Sequence, residues 1–60
     1  MKGPTAVVAE DESTLRAELI EQIGALWPEV AIVGEASDGV QALRMLDELR
    51  PDVLFLDIHM

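Results

Sequence analysis

The sequence predicts an α/β fold in which a parallel sheet is built from βαβ units. Three short apolar segments read as strands buried on both faces. Two stretches with helical apolar spacing lie between them. Continuous apolar strands alternating with amphipathic helices are the signature of parallel crossovers, which are right-handed almost without exception.

Each element has its own residues. Met1-Lys2-Gly3-Pro4 is a lead-in without the apolar core of a signal peptide. The first strand covers about 5–9, where Thr5-Ala6-Val7-Val8-Ala9 is short, apolar and partly β-branched. Glu10 to Ser13 make the turn. A helix is expected over 13–26, with Leu15, Leu19, Ile20, Ile23 and Leu26 on one stripe. Ser13 or Asp11 is its expected cap, and acids in the first turn suit the helix dipole. Gly24 weakens the last turn, Pro28 ends the helix, and Trp27 is expected as a packing anchor there.

The second strand is expected over 30–36. Asp38 followed by Gln41 three residues later is a capping-box pattern for a second helix over 39–50. Val40, Leu43, Leu46 and Leu49 form its stripe and are expected in the core. Arg50 sits where a helix favours a cation, and Pro51 blocks continuation. The third strand covers 53–57. Met45 and Met60 carry no chemical message.

Composition bounds the function. Sixty residues are at most one small domain, marginal when alone. Half the residues are hydrophobic, so the chain is not a disordered tail. There is no cysteine, which removes disulfide, thiolate-zinc and thiol-nucleophile chemistry and fits a cytoplasmic protein. No apolar run approaches the roughly 20 residues that span a bilayer. Twelve acids against four bases give a net charge of −8, which argues against gripping nucleic acid or anionic lipid. The same imbalance brings self-repulsion that a bound cation would relieve.

The chemistry gathers at two strand ends. Glu10-Asp11-Glu12 follow the first strand, and Asp57 closes the third. In an open parallel sheet the site lies beyond the carboxyl ends, where strand order reverses. With order 2-1-3 the reversal falls between strands 1 and 3. Neighbouring strands lie about 4.8 Å apart, so carboxylates there can converge on one ion. Mg²⁺ suits such a cluster, since it takes oxygen ligands and one or two direct carboxylates. It also draws in a phosphate dianion, and a carboxylate is an established type of nucleophile for phosphoryl groups. Taken singly, each acid has a plainer role in helix electrostatics or strand capping, and Glu12 reads as a solvated first-turn acid. Together on adjacent strand ends they read as a site. The side chain of His59 reads as an ordinary loop group, while its backbone carbonyl is a candidate Mg²⁺ ligand.

Competing motifs fail on spacing. The first turn, Glu10-Asp11-Glu12-Ser13, contains none of the glycines of a dinucleotide fingerprint. Gly34 and Gly39 have the glycine spacing of a P-loop, but Val40-Gln41 stand where Lys and Ser/Thr are required. A haloacid-dehalogenase-type phosphatase wants D-x-D, and Asp57-Ile58-His59 lacks the second acid.

Three segments, taken in order, resemble one family. Ala6-Val7-Val8-Ala9-Glu10-Asp11-Glu12, Ala36-Ser37-Asp38-Gly39-Val40-Gln41-Ala42-Leu43 and the stretch from Arg50 to Met60 are similar to the receiver domain of bacterial two-component response regulators. The resemblance covers essentially the whole chain. It implies the first βαβαβ portion of a flavodoxin-like, doubly wound sheet, with order 2-1-3 of an expected 2-1-3-4-5. It implies that Asp57 takes a phosphoryl group from a sensor histidine kinase. It also implies that Asp11 binds Mg²⁺ directly, that Glu10 helps through water, and that the His59 carbonyl completes the protein ligands. Glu10 stands where the family usually has Asp. The Phe55-to-Met60 ending and the Leu26-Trp27-Pro28 turn look most like regulators with a LytTR-type DNA-binding output, so contact with DNA would come only through a further domain.

Receiver domains are about twice this long, and the family's switch Ser/Thr and conserved Lys lie beyond these residues. The chain reads either as part of a longer protein or as a truncation. An isolated βαβαβ unit would expose the edge of its third strand and a face of its first helix, so self-association is expected. The leading expectation is a signalling switch rather than an enzyme turning over a free substrate. The alternatives are a receiver-like interaction module that is not phosphorylated and a small Mg²⁺-dependent phosphotransfer or hydrolase fragment.

Overall fold

The computed structural model describes residues 3–57. Five elements follow in order: β1 (Thr5–Glu10), α1 (Ser13–Leu26), β2 (Ala31–Ala36), α2 (Gly39–Leu49) and β3 (Val53–Asp57). The sheet is wholly parallel with order β2-β1-β3. This is the βαβαβ portion of a flavodoxin-like, doubly wound fold. The chain moves one way across the sheet from β1 to β2 and the other way from β2 to β3. Right-handed crossovers therefore put α1 and α2 on opposite faces.

β1 is central, and Ala6, Val7, Val8, Ala9 and Glu10 are fully buried. Val7 and Ala9 face α2: Val7 lies beside Gly34 under Met45 and Leu49, and Ala9 packs with Ala36 and Ala42. The alternate set, Ala6, Val8 and Glu10, points to the other face. β2 reaches the same arrangement through a register step. Ile32 pairs with Ala6 but Gly34 pairs with Val7, so the ladder skips Val33. Such a bulge exchanges the faces of the residues that follow it. Here it puts Gly34 and Ala36 beneath α2 in close quarters: a Cβ on Gly34 would lie 3.0 Å from both Leu49 Cδ1 and Met45 Sδ, so those side chains would have to give by a few tenths of an ångström.

α2 is capped as its sequence requires. Asp38 is extended and its Oδ1 accepts from the Gln41 amide at 2.8 Å. Gln41 Oε1 accepts in return from the amide and hydroxyl of Ser37, one residue earlier than in the standard box. The helix closes on Arg50 in the left-handed region, φ 47°. α1 differs from expectation. Its N-cap is Glu12, not Ser13 or Asp11, and Glu12 makes no side-chain cap bond. Its first turn holds no acid. The Glu12 amide is satisfied from behind, by Glu10 Oε1 at 3.0 Å.

The leucine stripes are only partly core. Ala42 is the buried residue of α2 and Ile23 that of α1. Val40 and Leu43 are each 69% exposed, and Leu26 is 87% exposed. Val40 and Leu43 are exposed by position: α2 packs over β2 and β1, which leaves its other flank uncovered beside the edge strand β3. Val40, Leu43, Leu46, Leu54 and Leu56 line the resulting apolar groove of about 410 Å³.

At the amino ends of the strands β1 and β3 are clasped. Asp52 Oδ2 accepts from the Thr5 amide at 2.8 Å, and the Asp52 amide donates to the Thr5 carbonyl at 2.9 Å. The Thr5 hydroxyl lies 3.3 Å from both the Asp52 carboxylate and the Asp52 amide.

Candidate functional site

The carboxyl ends of β1 and β3 bring three acids together. Parallel register pairs Val8 with Phe55, Ala9 with Leu56 and Glu10 with Asp57. Since side chains alternate along a strand, Glu10 and Asp57 leave the same face of the sheet, side by side. Asp11 follows in the turn. Glu10 is completely buried, whereas Asp11 and Asp57 are exposed.

The Glu10 carboxyl is held from several directions. It accepts from the Glu12 amide, and Asp11 and Asp57 stand near enough to act on its titration. The Glu12 amide favours its anion and lowers its pKa, and this is the largest single influence. Burial, the neighbouring Asp11 and Asp57 carboxyls, and the Asp57 charge all act the other way. Together they prevail, and the Glu10 pKa is raised above the ordinary glutamate value.

The sequence ended the first strand at Ala9, with Glu10, Asp11 and Glu12 in the turn after it. The strand instead runs one residue further than 5–9, through Glu10, which is the register partner of Asp57. Glu12 is the exposed N-cap of α1. His59 lies outside the described residues. Among the described residues no three acidic or histidine side chains form a ready metal cage. Mg²⁺ does not need one: it binds through one or two carboxylates and keeps several waters. A buried carboxyl beside two exposed ones offers that donor chemistry.

Arg16 is the residue that sequence reasoning missed. Its Nη1 donates to the Glu10 carbonyl at 2.8 Å, and its Nε donates to Glu35 Oε1 at 3.3 Å. The available signal was a cation in the first turn of a helix, the end that disfavours positive charge.

Comparison with known proteins bears on the family of the chain. The chain is 46% identical over 56 residues to an uncharacterised response regulatory protein of Vibrio cholerae, a match covering 93% of this chain and 22% of that protein. A similar protein of Vibrio parahaemolyticus is 45% identical over 56 residues, covering 93% of the chain and 23% of that protein. This chain is homologous to bacterial response-regulator receiver domains. The receiver segment is also 42% identical over 53 residues to a protein-glutamate methylesterase/protein-glutamine glutaminase of Carboxydothermus hydrogenoformans, covering 88% of the segment and 15% of that protein. The segment thus spans about a fifth of the length of the Vibrio relatives. No family model matches it, and no solved structure matches it. Among the described residues no helix of the receiver segment is long and apolar enough to cross a membrane.

Proposed function

We propose that the segment is the phosphoacceptor half of a receiver domain in a phosphorelay. Asp57 receives a phosphoryl group from a sensor histidine kinase, and Glu10, Asp11, Asp57 and the His59 backbone carbonyl serve Mg²⁺. The observation that carries this reading is the Glu10–Asp57 register pair, with Asp11 next to it. An exposed carboxylate is placed beside a buried acid at the carboxyl end of the sheet.

In the transfer, an Asp57 carboxylate oxygen attacks phosphorus. The bond from phosphorus to the donor imidazole nitrogen breaks, and its electron pair returns to the ring. The product is an acyl phosphate on Asp57. Mg²⁺, when bound, would supply charge neutralisation for the phosphoryl group. Glu10, fixed by the Glu12 amide, would be one of the carboxylates that hold it. Asp57, exposed at the strand end, remains open to the donor.

This reading describes a cytoplasmic switch without turnover on a free substrate, controlling an output elsewhere in a longer protein. A DNA-binding output of LytTR type rests only on the Leu26-Trp27-Pro28 turn and the Phe55-to-Met60 ending. Intact mass after incubation with acetyl phosphate and Mg²⁺ tests the acceptor. The wild type should gain one phosphoryl group and Asp57→Asn none. Absence of an adduct on the wild type overturns the reading.

One observation favours a second role, as an interaction module. Among the described residues, the groove beside α2 offers apolar surface to another chain. Light scattering checks this: self-association is expected, and a stable folded monomer counts against it.

A further inference from the structure

We propose that Arg16 is a positioning residue for the acid cluster. Its guanidinium fixes the carboxyl end of β1 and so sets where the Glu10 and Asp11 carboxyls stand relative to Asp57. The inference rests on the cation-site reading above.

Arg16 stands where a cation is out of place. It is one of four bases in the chain and lies in the first turn of α1, at the positive end of the helix dipole. Its side chain is nonetheless only 20% exposed. Something on the sheet must compensate, and two acceptors do. The Glu10 carbonyl takes Nη1, and the Glu35 carboxylate takes Nε. Glu35 is the register partner of Val8 on β2. One planar, rigid fork thus ties together α1, the last residue of β1 and the neighbouring strand, which a flexible ammonium would do less well.

The two bonds differ in weight. Glu35 is 56% exposed, and an ion pair in that setting contributes little. The bond to the Glu10 carbonyl is partly buried and acts on the cluster itself. With the Glu12 amide bound to Glu10 Oε1, the backbone and side chain of Glu10 are each held by a separate donor. The carboxyl held in this way belongs to the register partner of Asp57 and the chain neighbour of Asp11.

A brace and a mere charge have opposite signatures. As a charge alone, the guanidinium repels a cation from the site, and removing it tightens Mg²⁺ binding. As a brace, its removal loosens the donor set and weakens binding. Calorimetric Mg²⁺ titration of wild type, Arg16→Met and Glu35→Gln distinguishes the two. Arg16→Met should bind Mg²⁺ about tenfold more weakly, the range found for groups that orient metal ligands. Glu35→Gln should stay within about twofold of wild type, since it removes only the exposed pair. Amide hydrogen exchange at Glu12 should also be faster in Arg16→Met. Equal or tighter Mg²⁺ binding by folded Arg16→Met overturns the proposal. If that variant does not fold, Arg16→Lys is titrated instead under the same criterion. If the wild type binds no Mg²⁺, the cation-site reading fails, and Glu12 exchange alone decides for Arg16: unchanged protection sinks it.

Discussion

Glu10 and Asp57 are register partners that leave the same face of the sheet, one fully buried and the other exposed. The difference follows from strand position, since β1 is central and β3 lies at the edge. The buried member cannot shed charge to solvent and answers its neighbours instead. The exposed member stays accessible to a reaction partner.

This arrangement makes stability depend on pH. Glu10 holds its proton more tightly in the folded chain than in the unfolded one. That contribution is complete below the unfolded glutamate value, about 4.3, and is lost as pH rises through the raised folded value. Without divalent cation, the urea midpoint should therefore fall as pH rises from that point. Glu10→Gln should flatten the slope. A midpoint that rises with pH over the same window contradicts the raised value.

Mg²⁺ should reverse the trend at neutral pH. An ion that binds only the folded state adds about 1.4 kcal/mol at ten times its dissociation constant. Thermal melts in millimolar Mg²⁺ should shift upward for the wild type, and Asp11→Asn should abolish the shift. Identical melts with and without the ion count against the metal site.

Arg50 carries a left-handed conformation that a side chain disfavours. Arg50→Gly removes that strain, roughly 1 kcal/mol, but gives about half of it back through a more flexible unfolded chain. It should therefore stabilise by about 0.5 kcal/mol, read as a higher urea midpoint. A lower midpoint would show that the Arg50 side chain does more than occupy the cap.

The Thr5–Asp52 clasp is exposed, so its bonds are modest. Asp52→Ala should cost about 1 kcal/mol in urea denaturation. Acetyl-phosphate labelling of Asp57 under folding conditions should be unchanged, because the clasp lies at the opposite end of the strands.

Much of this was legible in the sequence. Pro28, Asp38 and Pro51 punctuate the chain where its elements change, and apolar runs at Ala6–Ala9 and Val53–Leu56 give the strands. The order 2-1-3 came only from the resemblance to receiver domains, and the sheet has it. Three features were not legible. The bulge at Val33 depends on the space available under α2, which no local pattern encodes. The exposure of Val40 and Leu43 depends on which strands α2 crosses, although its periodicity is strong. The role of Glu10 as both strand end and amide acceptor depends on one residue of strand length.

The clasp between Thr5 and Asp52 gives the three-stranded sheet the mechanics of a pair of tweezers. The arms, β1 and β3, are riveted at one end by the clasp and paired residue by residue to their tips, where the acids stand. The rivet keeps the strands in register. The side chains at the tips can thus change what they hold without any strand having to slip.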